Sequence, residues 1–370
     1  MKKYLLLLIV LAVSVFLFIK QFNLRKSLVE KSANSAEKVS VILTGFGSKN
    51  DEGVWQGEIA PFTRNLASGV DMGENFKTCP VAYEGYLYGE RVLVSSSGMG
   101  KVSTAACLTQ ILNYYKNDVK EVIFVGIAGI SPSKGGILDE SGNKRDSEPA
   151  MLGDVCINSL AFDFDQQHYT SDKAGSKTPS PLFWNQESVF SSRFVINANG
   201  LANDLVEASA RVDWPVAPAD VSDIDTLYHG ASRAVRVWGP NECIEATGDL
   251  YWHDLALDRR AREIAADFMS QALGISLKPE DVLIVTSMEA ASAGYVVKEW
   301  NKSSASNINF AYVRSASNFD HPYLNPANLV ALNGQDSVAK LSSTGAGSFA
   351  IETAALPVLK MFELRSVNLK

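Results

Sequence analysis

Several apolar, β-rich runs of this chain stop on glycine or small polar residues and give way to helical stretches, and no other feature restricts the fold as much. The clearest are VLVSSSGMGKVSTA (92–105), IFVGIAGI (123–130) and IVTSMEAAS (284–292), with TGDLYWHD (247–254) as a fourth cluster. Strands alternating with helices of this length predict an α/β fold with a mixed, mostly parallel sheet flanked by helices. In open α/β sheets the ligand sits in a crevice beyond the strand C-terminal ends, so the convergence of these clusters matters more than any one of them.

The 370 residues are 46% hydrophobic and 20% charged, which is ordinary for a globular protein with a sizeable core. The net charge of −7, with no long basic run, excludes a nucleic-acid partner that relies on phosphate neutralisation. Lys2 and Lys3 precede the apolar run Tyr4–Ile19, which makes residues 1–19 either a signal or a membrane anchor. Both readings export the remainder, to a periplasmic or extracellular face, either anchored or secreted. Residues 20–37 read as a polar stalk, 38–370 as one α/β domain, and about 166–191 as a loop excursion from it. Export makes the four cysteines disulfide candidates. Cys107 and Cys156 sit in apolar contexts and read as core, whereas Cys79 and Cys243 sit in looser ones and could pair, a point the sequence leaves open. The spacing of the cysteines matches no metal site, and no metal or other cofactor is expected.

Each cluster has a structural and a functional reading. Gly98 and Gly100 form a tight turn before a helix, which serves as a plain connection or presents N–H groups to an anion or sugar hydroxyl. Gly126 and Gly129 flank Ala128 and allow either a crowded sheet crossing or the close approach of a flat ligand. Glu289 at a helix start is explained by capping alone, or accepts hydrogen bonds from neighbouring ribose hydroxyls with Met288 under the sugar. Tyr251 and Trp252 are core aromatics or a face on which a base stacks. VRSASNFDHP (313–322) reads as a strand ending in a site, with Asn318 placed to act.

Taken in order, SGMGKVSTA, VGIAGI, LGDV, GDLYW, SMEA and VRSASN resemble the nucleoside phosphorylase and nucleosidase superfamily over residues 38–370. PFTRNL, ATGDLYWHD and RSASNFDHPYLNP resemble more closely the purine nucleoside permease family. The resemblance implies a nucleoside phosphorylase-like fold and a homo-oligomer. It places Glu289 on the ribose 2′ and 3′ hydroxyls, Met288 on the sugar and Tyr251 on the base. Ala128 and Gly129 would line the base edge, and the turn from Gly98 to Lys101 would approach the ribose.

Three departures bear on chemistry. Where related phosphorylases hold phosphate with arginine and serine, this chain has Phe124 and Ile127, so phosphate binding is expected to be lost. Hydrolytic relatives carry a glutamate soon after the first strand. Here TGFGSKNDEGVW (44–55) offers Asp51 or Glu52, either of which serves only if the loop folds back. Asn318 replaces the aspartate that purine-cleaving relatives use to protonate N7, and an amide supplies no proton. Asp320 is read as facing away unless the chain turns, and His321 as mainly structural. The expected function is therefore purine nucleoside binding at the cell envelope in connection with uptake. The alternative is cleavage of the N-glycosidic bond, with water favoured over phosphate as co-substrate. A single apolar segment forms no solute path across a bilayer, so any transport would need another component.

Overall fold

In the computed structural model the described residues are 37–132, 149–165, 200–240, 242–249, 253–274, 276–320 and 345–368, with the backbone of the short strands 137–138, 144–145, 168–171, 177–180 and 194–196. Twelve strands form the main sheet. They are β1 (Val39–Thr44), β2 (Ala67–Asp71), β3 (Val81–Leu87), β4 (Glu90–Ser96), β5 (Val119–Ile130), β6 (Val155–Asn158), β7 (Leu160–Asp163), β8 (Phe194–Ile196), β9 (Val237–Trp238), β10 (Cys243–Thr247), β11 (Leu283–Ser287) and β12 (Asn309–Phe319). The helices are α1 (Ala60–Asn65), α2 (Lys101–Tyr115), α3 (Leu201–Ser209), α4 (Ala219–His229), α5 (Leu255–Leu273), α6 (Ala290–Ser304) and α7 (Ala346–Asn368).

The main path runs β8-β7-β10-β11-β5-β1-β4-β3-β2, and β12 bridges β5 to β6, which also pairs β9. Neighbours β4, β1, β5 and β12 are parallel, as are β7, β10 and β11, while β11 meets β5 antiparallel. The sheet is thus mixed and mostly parallel at its centre, as the alternation of strands and helices predicts. Both faces of the central strands are covered. Val41 and Leu43 of β1 join a core that includes Leu108 of α2 and Val297 of α6, and Ile42 joins a second core with Phe62 of α1, Leu205 of α3 and Val358 of α7. Burial on both sides is why these strands read as unbroken apolar runs rather than alternating ones.

Local chemistry fixes the element ends. The β3–β4 hairpin turns through Tyr88 and Gly89, both at positive φ, as a two-residue hairpin turn requires. The Asp254 carboxylate accepts from the N–H groups of Ala256 and Leu257 at the start of α5, and Gly274 ends that helix in the left-handed region. Pro357 lies inside α7, which continues across it to Asn368 rather than stopping there. GDVCINSLAFDF forms two strands, not one. The Asn158 side chain takes the N–H groups of Ser159 and Leu160 and donates to the carbonyls of Pro240 and Cys243, which breaks the run.

The pairing left open by the sequence is Cys79 with Cys107 and Cys156 with Cys243, not Cys79 with Cys243. The two cysteines read as core are core residues, and each still finds its partner across a packed boundary between elements. Val39–Lys370 forms one compact unit by its contacts. The 1–19 segment, nearly all of the 20–37 stalk and most of the 166–191 excursion lie outside the described residues. No described helix is long and apolar enough to cross a membrane.

Candidate active site

A cavity of about 210 Å³ opens at the C-terminal ends of β1, β5, β10, β11 and β12, where the sheet pattern predicts a ligand. Its wall includes Met99, Ala128, Gly129, Met288, Glu289 and Asn318, all within motifs singled out in the sequence. Gly98 and Gly100 flank Met99 with φ of 78° and 94°, a conformation that favours glycine, and do not themselves line the cavity. Tyr251 and Trp252 lie outside the described residues, as does His321.

Glu289 occupies the N-cap position of α6 without capping it. Its side chain makes no capping bond, and that role falls to Glu245, whose Oε1 accepts from Ala290 N–H at 2.9 Å, and Thr247, whose Oγ1 accepts from Ala291 N–H at 3.0 Å. Freed from the helix end, Glu289 turns into the cavity. There Oε2 accepts from Arg314 Nη2 at 2.9 Å, and Oε1 accepts from Gly100 N–H at 3.2 Å. The Lys101 N–H goes to Asp249 Oδ1 at 2.9 Å. These two N–H groups of the turn that seemed open to an outside anion are therefore engaged by carboxylates of the chain itself.

Asp51 and Glu52 are exposed and stand away from the cavity, which corrects their candidacy as a base. They occupy the tip of a hairpin formed by Gly47–Lys49 and Trp55–Gly57. That hairpin closes on itself, with Glu58 N–H donating to Phe46 O at 3.1 Å, so the next residue returns beside the end of β1. Glu58 is the carboxylate delivered to the cavity. Its Oε2 accepts from Gly45 N–H at 2.7 Å and Phe46 N–H at 3.2 Å, and its Oε1 from Ile127 N–H at 2.7 Å. Sequence reasoning missed it because the hairpin moves the glutamate beyond the stretch searched. The GE pair just after the hairpin, ahead of Pro61, was the available signal.

Arg314 joins the carboxylates. It is fully buried, with its guanidinium 4.5 Å from the Phe124 ring centroid, Nε donating to Glu245 Oε2 at 2.8 Å and Nη2 to Glu289. Phe124 thus supports a cation of the chain, and the Ile127 N–H that faces the cavity is taken by Glu58. A Cβ on Gly126 would meet Glu58 Oε1 at 2.4 Å and Arg314 Nη1 at 2.6 Å, so only glycine permits this packing.

Three buried carboxyls around one buried cation leave negative charge in excess. Burial pushes Glu58 from the ordinary 4.5 to about 7; Arg314 opposes this, Glu289 adds to it, and the hydrogen bonds from Ile127 and Phe46 lower it. Glu289 is also raised by burial, against the pull of Arg314 and with a push from Glu245. Burial works against the Arg314 charge, but Glu245, Glu289 and Glu58 more than offset it and raise its basicity. A carboxyl that titrates near neutrality can take a proton from water and release it again.

At the other end of the cavity β12 carries a register shift between Ala316 and Asn318, and this bulge sets Asn318 opposite Gly129. Ser317 Oγ donates to Asn318 Oδ1 at 3.0 Å and to Ala128 O at 3.1 Å, which orients the amide. Asp320 does not face away. Residues i and i+2 of a strand share a face, and a Cβ on Gly129 would lie 2.0 Å from Asp320 Oδ1 and 3.0 Å from Asn318 Nδ2. Among the described residues no group of His, Cys, Asp and Glu is arranged to hold a metal ion.

No family model matches the chain, and no curated protein matches it. The closer resemblance to purine nucleoside permeases therefore rests on the quoted motifs alone. Among solved structures, the chain is similar to a 5′-methylthioadenosine/S-adenosylhomocysteine nucleosidase from Neisseria meningitidis, at 16% identity and a TM-score of 0.47, over 88% of this chain and 99% of that one. It is similar to futalosine hydrolase of Helicobacter pylori at 16% identity and a TM-score of 0.47, over 88% and 98%. A methylthioadenosine nucleosidase described as putative, from Weissella paramesenteroides, aligns at 15% identity and a TM-score of 0.49, over 90% and 100%.

Proposed function

We propose that the chain hydrolyses the N-glycosidic bond of a purine nucleoside, releasing free base and ribose. The observation that carries this reading is Glu58, a buried carboxyl raised to about 7 that shares one cavity with Glu289. A protein that only binds nucleoside needs a partner for the ribose hydroxyls, which Glu289 supplies, and has no use for a second acid poised to exchange a proton at neutral pH.

In this reading Glu289, held by Arg314, accepts hydrogen bonds from the ribose 2′ and 3′ hydroxyls, and Met288 packs against the sugar. Asn318 and Gly129 meet the base edge. Glu58 orients a water and takes its proton as the oxygen bonds to C1′. Phosphate is disfavoured as the nucleophile because the N–H groups of Gly45, Phe46 and Ile127, a cradle suited to an anion, hold the Glu58 carboxylate instead. Tyr251 stacking on the base belongs to the same proposal and rests on the motif resemblance. Export also belongs to it, supported by the basic start and apolar run of residues 1–19 and by two disulfides, which persist in oxidising compartments.

The test is to incubate the purified protein with inosine and with adenosine, with and without phosphate, and to identify the sugar product. Free base with ribose, unaffected by phosphate, is expected. Ribose 1-phosphate formed only with phosphate would overturn the assignment of Glu58, and measurable binding without any release of base would leave a binding protein.

A further inference from the structure

Cleavage as proposed above leaves the departing purine in need of a proton, and the amide of Asn318 has none to give. Two residues beyond Asn318, directly after β12, stands a second acid, Asp320. It is 1% exposed, its N–H donates to Ile130 O at 2.9 Å, and its carbonyl accepts from Asp254 N–H at 2.9 Å, so its backbone is pinned on both sides. The side chain is held less fully. The Thr286 hydroxyl donates to Oδ1 at 2.7 Å, while Oδ2 is buried with no hydrogen-bond partner among the described residues. A buried polar atom without a partner carries a real cost and calls for a reason.

The surroundings supply one. Thr286, Gly129 and Asn318 all line the cavity, and Asp320 stands one layer behind them. A Cβ on Gly129 would come within 2.0 Å of Asp320 Oδ1, 2.5 Å of Thr286 Oγ1 and 3.0 Å of Asn318 Nδ2, so the missing side chain is what lets these three polar groups converge on the base edge. Burial pushes the Asp320 carboxyl well above the usual carboxylate range, Thr286 opposes this and Asp258 on α5 adds to it. His253, whose Nδ1 lies 2.9 Å from Phe319 O, and Tyr228 and His229 of α4, whose rings pack against the Phe319 ring, are ionisable side chains facing the residue before it.

We propose that Asp320 is the proton source for the leaving base and that the Thr286 hydroxyl passes the proton across the cavity wall. As the bond from C1′ to the base nitrogen breaks, its electron pair enters the purine ring. The Thr286 hydroxyl, which donates to Asp320 Oδ1 before substrate binds, turns to give its proton to the ring nitrogen and takes the Asp320 proton from Oδ1 in return. Water adds to C1′ and loses a proton to Glu58, and solvent carries that proton back to Asp320 between turnovers, so nucleoside and water give base and ribose with no net proton change. Asn318 orients the base through its amide.

The relay predicts a dependence on the leaving group that a purely structural role does not. Asp320→Asn keeps an oxygen for Thr286 but has no acid proton, and Thr286→Val keeps the shape but removes the hydroxyl. Both are compared with the wild type on inosine and on 4-nitrophenyl β-riboside, whose phenolate departs without being protonated. Turnover of inosine should fall by roughly 10²- to 10⁴-fold in either variant, the usual worth of a general acid, and turnover of the nitrophenyl riboside by far less. Thr286→Val carries the same comparison if Asp320→Asn does not fold. Equal losses on both substrates, or unchanged turnover of inosine, would overturn the relay while leaving cleavage intact. A wild type that cleaves neither substrate would overturn cleavage and the relay with it.

Discussion

At the scale of single residues, the account turns on Glu58 and Glu289, two buried acids with different tasks. As a base Glu58 must be ionised, so with the carboxyl at about 7, kcat/KM should rise with pH through neutrality and be lost below it. Glu58→Gln should remove this limb. Stability moves the other way. The folded value of about 7 lies above the ordinary 4.5, so the contribution of Glu58 is fully present below pH 4.5 and is lost as pH rises through 7, at most about 3 kcal/mol. Thermal denaturation of wild type and Glu58→Gln across that window should show the steeper decline in the wild type. Glu289→Gln should weaken nucleoside binding by roughly 10-fold or more while free base binds nearly as before, because a charge-assisted hydrogen bond contributes about 1.5–3 kcal/mol; equal losses in titration calorimetry would place Glu289 away from the ribose. Glu289 and Met288 were legible in the sequence as side chains at the start of a helix beyond an apolar strand. Arg314 was visible as a charge within a buried strand, but its tie to Glu245, distant in sequence, was not.

At the scale of elements, the strand ends were legible because strands buried on both faces are continuous apolar runs that stop where the crevice begins. The hairpin between β1 and Glu58 was not, since pairing of Gly47–Lys49 with Trp55–Gly57 depends on a turn rather than on hydrophobic period. That hairpin is what sets Glu58. Gly57 has φ of 77°, and a Cβ there would come within 2.8 Å of the Phe46 ring, so Gly57→Ala should shift the link between Phe46 and Glu58. We expect a stability loss of roughly 1–3 kcal/mol and a loss of turnover up to roughly 100-fold, to be separated by denaturant unfolding and steady-state kinetics on the same preparation. The bulge in β12 was likewise invisible. It sets Asn318 opposite Gly129, and Asp320, two residues on and so on the same face, meets that glycine too, although it had been read as facing away.

For the whole molecule, the mixed sheet followed from the order of strands and helices, but its disulfides did not, because pairing depends on which elements become neighbours. Cys156–Cys243 ties β6 to β10, and Cys79–Cys107 ties the segment before β3 to α2. Non-reducing peptide mapping should recover these two links and no Cys79–Cys243 link. Loop lengths of 87 and 28 residues imply that losing Cys156–Cys243 costs about 1 kcal/mol more than losing Cys79–Cys107. These ties hold together a sheet whose strand ends enclose three acids and one cation, and the claim that this arrangement breaks a glycosidic bond is open to one direct measurement. Wild type and Glu58→Gln are incubated side by side with inosine at neutral pH, and free base and ribose are quantified along with bound nucleoside. The wild type should release base and ribose in equal amounts, and the variant should bind nucleoside yet turn it over at least roughly 100-fold more slowly. A wild type that binds nucleoside and releases no base, or a variant as fast as the wild type, would contradict it.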